Sequence, residues 1–319
     1  GTLASSVSMS GGTLDADESL TLSGALSQSG HWIQITIDVA DTKTLTYSGA
    51  AVNLGANTLI LSGGGTLGNT NAFVLNNTYS KLLLNSITLG SASTSAKSLG
   101  LDVNADSTVT SLSVGHITPV SVAANKTLSG AITVTSGRLK LNETGTVAST
   151  IAMSGGVLDV KNSLALSGAL TQAGNVYIDI YTGKTLTYSG AAISLGANTL
   201  TLLGGGTFSN TNALVLNNAN SKLLLNSTIT LGSASTSSDS LGLDVNADST
   251  VTSLSVGHIT PVSVAANKTL SGAITVTAGS LKLAESGTLA STIAMSGGTL
   301  DVDESSTVSG ALTQSGNIE

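Results

Sequence analysis

Two consecutive stretches decide the fold. TLSGAITVTSGRLKLNETG covers residues 127–145, and TVASTIAMSGGVLDVKNS covers residues 146–163. Both contain short runs in which apolar and polar residues alternate, separated by Gly, Ser or Asn. Alternation with a period of two is typical of β-strands that bury one face. The runs are too short and too closely spaced for the helices of βαβ crossovers, so the sequence predicts an all-β protein.

The alternating runs recur with a period of about 20 residues, which is the length of one coil in a solenoid. From Thr127 onward, one long repeat divides into seven segments of this kind. In such a solenoid each coil pairs with the next one, at a spacing of ~4.8 Å. The sequence therefore predicts a parallel β-helix, or β-solenoid, with about seven coils in each long repeat.

The coils are grouped into long, nearly identical repeats. GTLASSVSMSGGTLDADESL begins at Gly1, and related stretches begin at Gly145 and Gly287, at offsets of 144 and 142 residues. The block Ser98–Thr135 is identical to Ser240–Thr277. The predicted organisation is a first copy (1–144), a second copy (145–286) and the start of a third (287–319), in one continuous solenoid without linkers. Because Glu319 falls partway through a copy, we expect the ends to pair with further coils. Those coils belong to a longer polypeptide or, less favoured, to an identical subunit in a head-to-tail filament.

Tandem β-sandwich domains of about 140 residues are the competing interpretation. They predict a separate core for each long repeat, usually with a buried Trp or Tyr cluster. Trp32 occurs once and has no counterpart in the second copy, and linkers rich in Pro or charge are missing between the copies. These observations favour the solenoid.

The composition excludes several classes of function. Charged residues make up 9% of the chain, against about 25% in typical globular domains. The net charge of −7 offers no basic surface for nucleic acid, and no run of 18 apolar residues forms a membrane span. The absence of Cys excludes disulfides and thiolate metal sites. Abundant Leu, Val and Ile with few aromatics indicate a thin core.

The Gly-, Ser- and Asn-punctuated strands, such as SGGTLDADESLTLSGAL (residues 10–26) and TLSGAITVTSGRLKLNETG, resemble the β-helical passengers of bacterial autotransporters and the filamentous-haemagglutinin type of exoprotein. The resemblance covers the whole chain and is compositional, without a short diagnostic motif. It implies secretion, a right-handed parallel β-helix and a role in adhesion or surface assembly. The similarity between the long repeats exceeds that of many passengers, which favours a fibre or stalk.

Alternation also predicts which side chains face the core. Ile35, Ile37 and Val39 should point inward, and Thr36 and Asp38 outward. The second copy should bury Val176, Ile178 and Ile180 and leave Asp179 outside, provided that the three extra residues of the first copy fall in the segment 30–34. Trp32, carried by that insertion, should lie at the surface in a turn.

Two acidic patterns are candidate sites. Asp15 and Asp17 can share one strand face, as acid–base pairs or Ca²⁺ ligands do. The third copy has Asp301, Asp303 and Glu304, but the second places Lys161 beside Asp159, which favours a solvated polar face. Asp102, Asn104 and Asp106 recur as Asp244, Asn246 and Asp248 with the spacing of an EF-hand start. Ser107 and Ser249 stand where the Gly is needed, and Ser113 and Ser255 where the Glu is needed, so a turn is favoured and calcium is the minority alternative.

The remaining polar residues favour structural roles. His116 and His258 precede Pro119 and Pro261 in a segment that we interpret as a corner, and His31 is isolated. Asn side chains near strand ends (Asn76, Asn77, Asn85, Asn104 and Asn142) should stack into ladders in at least one set. Thr-x-Thr motifs at 44/46, 108/110 and 133/135 are too irregular along the coils for an ice-binding array. Glycosylation sequons at Asn76, Asn125, Asn142, Asn226 and Asn267 are expected by chance in this composition.

The sequence thus predicts an extracellular structural or adhesive protein that forms a stiff rod or fibre, either an adhesin shaft or a filament subunit. Its expected partners are further copies of the repeat and cell-surface or matrix glycans. We expect no enzymatic activity and assign no catalytic, cofactor-binding or metal-binding residue. The alternatives are an ice- or mineral-binding solenoid and a β-helical polysaccharide-acting enzyme. One arginine and eight scattered aromatic residues argue against the enzyme.

Overall fold

The protein is a β-solenoid, in which parallel strands stack in about 16 turns of about 20 residues. The computed structural model describes residues 1–302 and 305–316. Over these residues there is no helix, and therefore none that is long and apolar enough to cross a membrane. The predicted fold class is confirmed, and the β-sandwich alternative is wrong because consecutive turns pair in parallel rather than forming closed antiparallel domains.

Strands follow one another at short intervals in every copy. In the first copy they are β1 (Thr2–Leu3), β2 (Val7–Met9), β3 (Gly12–Ala16), β4 (Leu20–Leu22), β5 (Leu26–Gln28), β6 (Gln34–Val39), β7 (Thr44–Tyr47), β8 (Val52–Asn53), β9 (Thr58–Ser62), β10 (Thr66–Asn69), β11 (Phe73–Leu75), β12 (Lys81–Asn85), β13 (Thr88–Thr94), β14 (Gly100–Val103), β15 (Ser107–Val114), β16 (Ile117–Val122), β17 (Thr127–Val134) and β18 (Arg138–Leu141).

The second copy contains the corresponding strands β19 (Thr146–Val147), β20 (Thr150–Met153), β21 (Val157–Val160), β22 (Leu164–Leu166), β23 (Leu170–Gln172), β24 (Val176–Ile180), β25 (Thr185–Tyr188), β26 (Ile193–Ser194), β27 (Thr199–Leu203), β28 (Thr207–Asn210), β29 (Leu214–Leu216), β30 (Lys222–Leu225), β31 (Thr230–Thr236), β32 (Gly242–Val245), β33 (Ser249–Val256), β34 (Thr260–Val264), β35 (Thr269–Val276) and β36 (Ser280–Ala284). The third begins with β37 (Thr288–Leu289), β38 (Thr292–Met295), β39 (Thr299–Val302), β40 (Thr307–Val308) and β41 (Leu312–Gln314).

The chain divides into two compact units. The first comprises Gly1–Ala152, Gly156–Leu158 and Leu164–Gly168, and the second comprises Met153–Gly155, Asp159–Ser163 and Ala169–Glu319. In the first, one side of each coil forms the parallel ladder β3–β6–β9–β12–β14–β16–β18. In the second, the ladder β24–β27–β30–β32–β34–β36–β39 has the same character.

The other sides of each coil form a second ladder, in which β7, β10, β13, β15 and β17 pair in the first unit. In the second unit β25, β28, β31, β33 and β35 pair in the same way. Some coils use two short strands on these sides, such as β10 and β11, and others merge them into one strand of up to eight residues, such as β15. Identical residues thus meet on successive coils, for example Leu82 beside Leu59 and Leu101.

The core is a continuous stack of inward aliphatic side chains within each unit. Ile35, Ile37 and Val39 are buried, whereas Thr36 and Asp38 are only partly covered. In the second copy Val176, Ile178 and Ile180 are buried and Asp179 is partly exposed. These predictions are confirmed. So is the surface position of Trp32, whose side chain is 67% exposed in a bend with a positive φ of 62°.

Each unit also buries a pair of aromatic rings that the sequence analysis did not predict. Tyr47 and Phe73 stack with ring centroids 6.2 Å apart in the first unit, and Tyr188 and Phe208 stack at 5.9 Å in the second. The tyrosines occupy equivalent positions in the two copies, but the phenylalanines do not. Leu214 stands where the first copy has Phe73, and Leu67 stands where the second has Phe208. Each copy therefore has one Phe and one Leu at these two core positions, in opposite order, so the summed side-chain volume is the same in both copies.

Pro119 lies inside strand β16 rather than at a corner, so the predicted corner at this residue is wrong. Its side chain is partly exposed, and the residue pairs with Lys140 on the following coil. The turn itself falls at Gly115 and His116, just before the strand. On the preceding coil, Gly100 has a φ of 92°, and a Cβ there would lie 2.0 Å from the Pro119 carbonyl oxygen. Only glycine permits this close approach of the two backbones.

Candidate functional site

The acidic side chains of the predicted polar face have different environments in the two copies. Asp15 lies on β3 and is exposed to solvent. Asp17 follows the last residue of that strand and is also exposed. Asp159, the counterpart of Asp15, is fully buried. Its Oδ2 lies 3.8 Å from the Lys161 ammonium, which also sits 3.5 Å above the Tyr181 ring. The prediction of a solvated face is therefore wrong at Asp159.

Asp15 lies on β3, the terminal strand of its ladder, which pairs on one side only, so its exposure does not by itself distinguish the copies. Two residues near Asp159 are, however, specific to the second copy. Lys161 replaces Asp17 and Tyr181 replaces Ala40, and together they supply a cation and a covering ring. A buried carboxylate needs such a counter-charge, because desolvation strongly disfavours an isolated anion. In the third copy, Asp301 lies 3.3 Å from the Lys282 ammonium, while Asp303 and Glu304 fall outside the described residues.

The D-x-N-x-D segments are engaged in contacts between coils. Asp102 forms an ion pair with Lys81 at 2.5 Å, and the Asp106 carboxylate accepts the Thr127 backbone N–H at 2.8 Å. Asp244 and Asp248 make the same contacts with Lys222 and Thr269. Among residues 1–302 and 305–316, no three His, Asp or Glu side chains are gathered in a way that could hold a metal ion. Residues 104–106 form a bend, as predicted, whereas Asp102 and Asp244 lie within strands β14 and β32, so the predicted turn is wrong at these two residues.

The histidines lie on exposed corners. The His116 Nδ1 accepts the adjoining Ile117 N–H at 2.9 Å. In the second copy, His258 Nδ1 lies 3.8 Å from Asp239, whose position is taken by Lys97 in the first copy. The charged residue at this corner thus differs between the copies, whereas the strands that follow it have identical sequences.

One pair of asparagines stacks between coils, and the threonines form a longer column. The Asn246 amide donates to the Asn226 oxygen on the preceding coil at 3.1 Å. These residues are the second copy's counterparts of Asn104 and Asn85, so the predicted stacking is found for one pair. Thr44, Thr66, Thr88 and Thr108 form one column on successive coils, so the threonines are more regular than the sequence indicates. In the column two residues further along the strands, Gly68 lies beside Thr46. The Thr44 column therefore has no second column of threonines next to it, as a two-column Thr array would require.

A polar recess of about 190 Å³ lies between coils of the first unit. Ser86, Thr88, Asp106, Thr108 and Thr127 contribute to its lining. Asp106 is the single carboxylate in that lining, and it already accepts the Thr127 N–H. Hydrolysis of a glycosidic bond usually needs two carboxyl groups on opposite sides of the bond, and this recess supplies one.

Four exposed aromatic side chains are found in only one of the two copies. Trp32 and Tyr79 contact each other in the first unit, and Tyr177 and Tyr181 are 44% and 38% exposed in the second. Trp32 has no counterpart in the second copy, and Asn220 stands there in place of Tyr79. The first copy has Thr36 and Ala40 in place of Tyr177 and Tyr181. Sequence comparison of the copies could have identified these positions, but their clustering depends on coil stacking.

The chain matches no protein-family model, and no curated protein or solved structure is detectably similar to it.

Proposed function

We propose that the protein is an extracellular structural and adhesive repeat protein that forms a stiff rod or fibre, as the shaft of an adhesin or the subunit of a filament. The observation that carries the proposal is the in-register parallel ladder within each unit, built from nearly identical sequence in both copies. Each coil bonds its neighbour along the backbone, so stability grows approximately as a sum over adjacent coils. Such an architecture is extended by duplication without a new fold.

One corner in each copy supports a mechanical role, because polar side chains tie it to the following coil. The Gly55 N–H donates to Asn76 on the following coil at 2.8 Å, and the Ser80 hydroxyl donates to the Gly55 carbonyl at 2.5 Å. Asn217 and Ser221 repeat these bonds to Gly196. Under axial load, these corner bonds would act in parallel with the ladder hydrogen bonds between the same two coils.

The extracellular location and the partners are part of the proposal. Its support is the Cys-free, weakly charged composition and the resemblance to secreted β-helical exoproteins. Further copies of the same repeat are the expected structural partners, and surface glycans are the expected adhesive ones. No residue is assigned a catalytic role.

The test combines imaging with localisation. The complete chain, purified under native conditions, should appear in electron micrographs as straight rods, and its small-angle scattering should show a narrow cross-section. Antibodies should label intact source cells without permeabilisation. Compact spherical particles would contradict the rod, and labelling only after permeabilisation would contradict the extracellular assignment.

A further inference from the structure

Two differences between the nearly identical copies meet at one corner of the first unit. One is the three-residue insertion in segment 30–34, which carries Trp32. The other is Tyr79, which stands where the second copy has Asn220. They are 47 positions apart in the chain and lie on coils separated by one intervening coil. Their ring centroids are nevertheless only 4.2 Å apart, with the planes tilted by 58°.

Both rings are held on anchored backbone but remain open to solvent. The Ile33 N–H donates to the Asn57 side-chain oxygen at 3.2 Å, and the Asn57 amide donates to the Gly30 carbonyl at 3.3 Å. The Tyr79 N–H donates to the Asn77 side chain at 3.0 Å. The side chains of Trp32 and Tyr79 are 67% and 46% exposed. Rigid aromatic side chains with exposed faces supply contact area at a low entropic cost.

The fold does not require the aromatic pair, and the second copy shows this directly. Without a Trp32 counterpart and with Asn220 in place of Tyr79, it keeps the same ladder, in which Thr199 pairs with Lys222 as Thr58 pairs with Lys81. Exposed apolar area that the fold does not need is typical of interaction surfaces.

We propose that the Trp32–Tyr79 corner is a binding platform for a neutral saccharide. The two corner segments, QSGHWIQ (28–34) and NNTYS (76–80), contain no Asp, Glu, Lys or Arg. His31 and Gln34 are exposed there and offer hydrogen-bonding groups, and Asn76, whose side-chain oxygen accepts the Gly55 N–H, is also exposed. Lys81, which follows the second segment, is paired with Asp102.

This combination matches the two surfaces of a sugar. The C–H face of a pyranose ring is apolar and stacks on an aromatic face, and its hydroxyl edge bonds amides and imidazole. A charged polysaccharide or an acidic or basic peptide would instead be expected to meet groups of opposite charge. The corner therefore favours a neutral glycan. The inference rests on the proposed adhesive role and names its ligand class and its contact residues.

Trp32 is the only tryptophan of the chain, so its fluorescence reports on this corner alone. The complete protein is titrated with cellohexaose, laminarihexaose, mannohexaose and chitohexaose, with heparin and polygalacturonate as charged probes. At least one neutral hexaose should shift the emission to the blue with saturation. Tyr79→Asn, which installs the second copy's residue, should weaken that binding about tenfold or more. Trp32→Ala, measured by calorimetry, should abolish it.

The control variant is Tyr177→Thr, which removes an exposed aromatic side chain elsewhere and installs the first copy's residue. It should bind as the wild type does. The platform is overturned if no neutral hexaose binds up to roughly 10 mM, if only the charged probes bind, or if Tyr79→Asn binds unchanged. Each of these results leaves rod formation and cell-surface labelling unaffected, so a failed platform is distinguished from a failed structural role.

Discussion

At the scale of single residues, the turn that follows β6 and β24 is filled differently in the two copies. The Lys43 N–H bonds the Ala40 carbonyl at 3.0 Å, and the Lys184 N–H bonds the Tyr181 carbonyl at 2.8 Å. The third position of each turn has a positive φ, 65° at Thr42 and 72° at Gly183. Type II turns require Gly or Asn at this position, and a β-branched residue is strained there.

We therefore predict that Thr42→Gly raises the free energy of unfolding by about 1 kcal/mol, since it removes the strain and loses some of that gain to chain entropy. The reciprocal change, Gly183→Thr, should lower it by ~1–2 kcal/mol. Midpoints of thermal and urea unfolding measure both. A stabilising Gly183→Thr, or a destabilising Thr42→Gly, would contradict the turn assignment.

Tyr188 carries a second residue-scale prediction. Its hydroxyl donates to the Ala191 carbonyl at 2.6 Å and accepts the Leu170 N–H at 3.1 Å. Burial raises the pKa of the Tyr188 phenol, and the hydrogen bond from Leu170 opposes this in part. Because the folded pKa exceeds the unfolded value of about 10, the associated stability is complete below pH ~10 and is lost as the pH rises through the folded pKa.

Tyr188→Phe should consequently lower stability at neutral pH by ~1–3 kcal/mol, because two buried backbone groups lose their partner. It should also flatten the decline of the thermal midpoint above pH ~10. Tyr177→Phe, at an exposed ring, is the control for loss of a hydroxyl. An unchanged alkaline decline in Tyr188→Phe would show that other groups cause it.

At the scale of elements, the exchange of Phe and Leu between β10/β11 and β28/β29 predicts a coupled substitution. Phe73→Leu should leave a cavity beside Tyr47 and cost ~1–2 kcal/mol. Leu67→Phe should overpack the same layer and cost ~1–3 kcal/mol. The double variant, which reproduces the second copy's arrangement, should return to within about 1.5 kcal/mol of the wild type. Additive losses in urea unfolding would mean that the two positions do not share one space.

The strands also show which features of the fold and of the candidate site could be predicted from the sequence. Alternation along β6 and β24 predicts every inward residue, because a period of two depends only on neighbours in the chain. The burial of Asp159 and the column of threonines at Thr44 could not be predicted in this way, because they depend on which residues become neighbours on successive coils. Coil lengths vary with insertions such as that carrying Trp32 and the single extra residue of the second copy near Thr228. Register between coils is therefore hidden until the strands are stacked.

At the scale of the whole molecule, the identical blocks 98–135 and 240–277 predict matched local stability. Their internal contacts repeat, as in the Thr127 and Thr269 amides that bond Asp106 and Asp248 at 2.8 Å. Since stability in a solenoid comes mainly from adjacent coils, amide hydrogen exchange should rank the two blocks' residues in the same order of protection. Exchange measured by NMR or mass spectrometry would contradict this if one block lost protection while the other kept it.

The identity of the two blocks has a consequence for the gene that encodes them. Recombination between the DNA segments that encode the two identical blocks would join residue 135 to residue 278 and shorten the product by 142 residues. Every strand at such a junction would meet the same flanking sequence as before, so the reading frame and the pairing register would both survive. Unequal exchange could then lengthen or shorten the gene by whole repeats, and variation in allele length would be tolerated where random insertions within a strand would not.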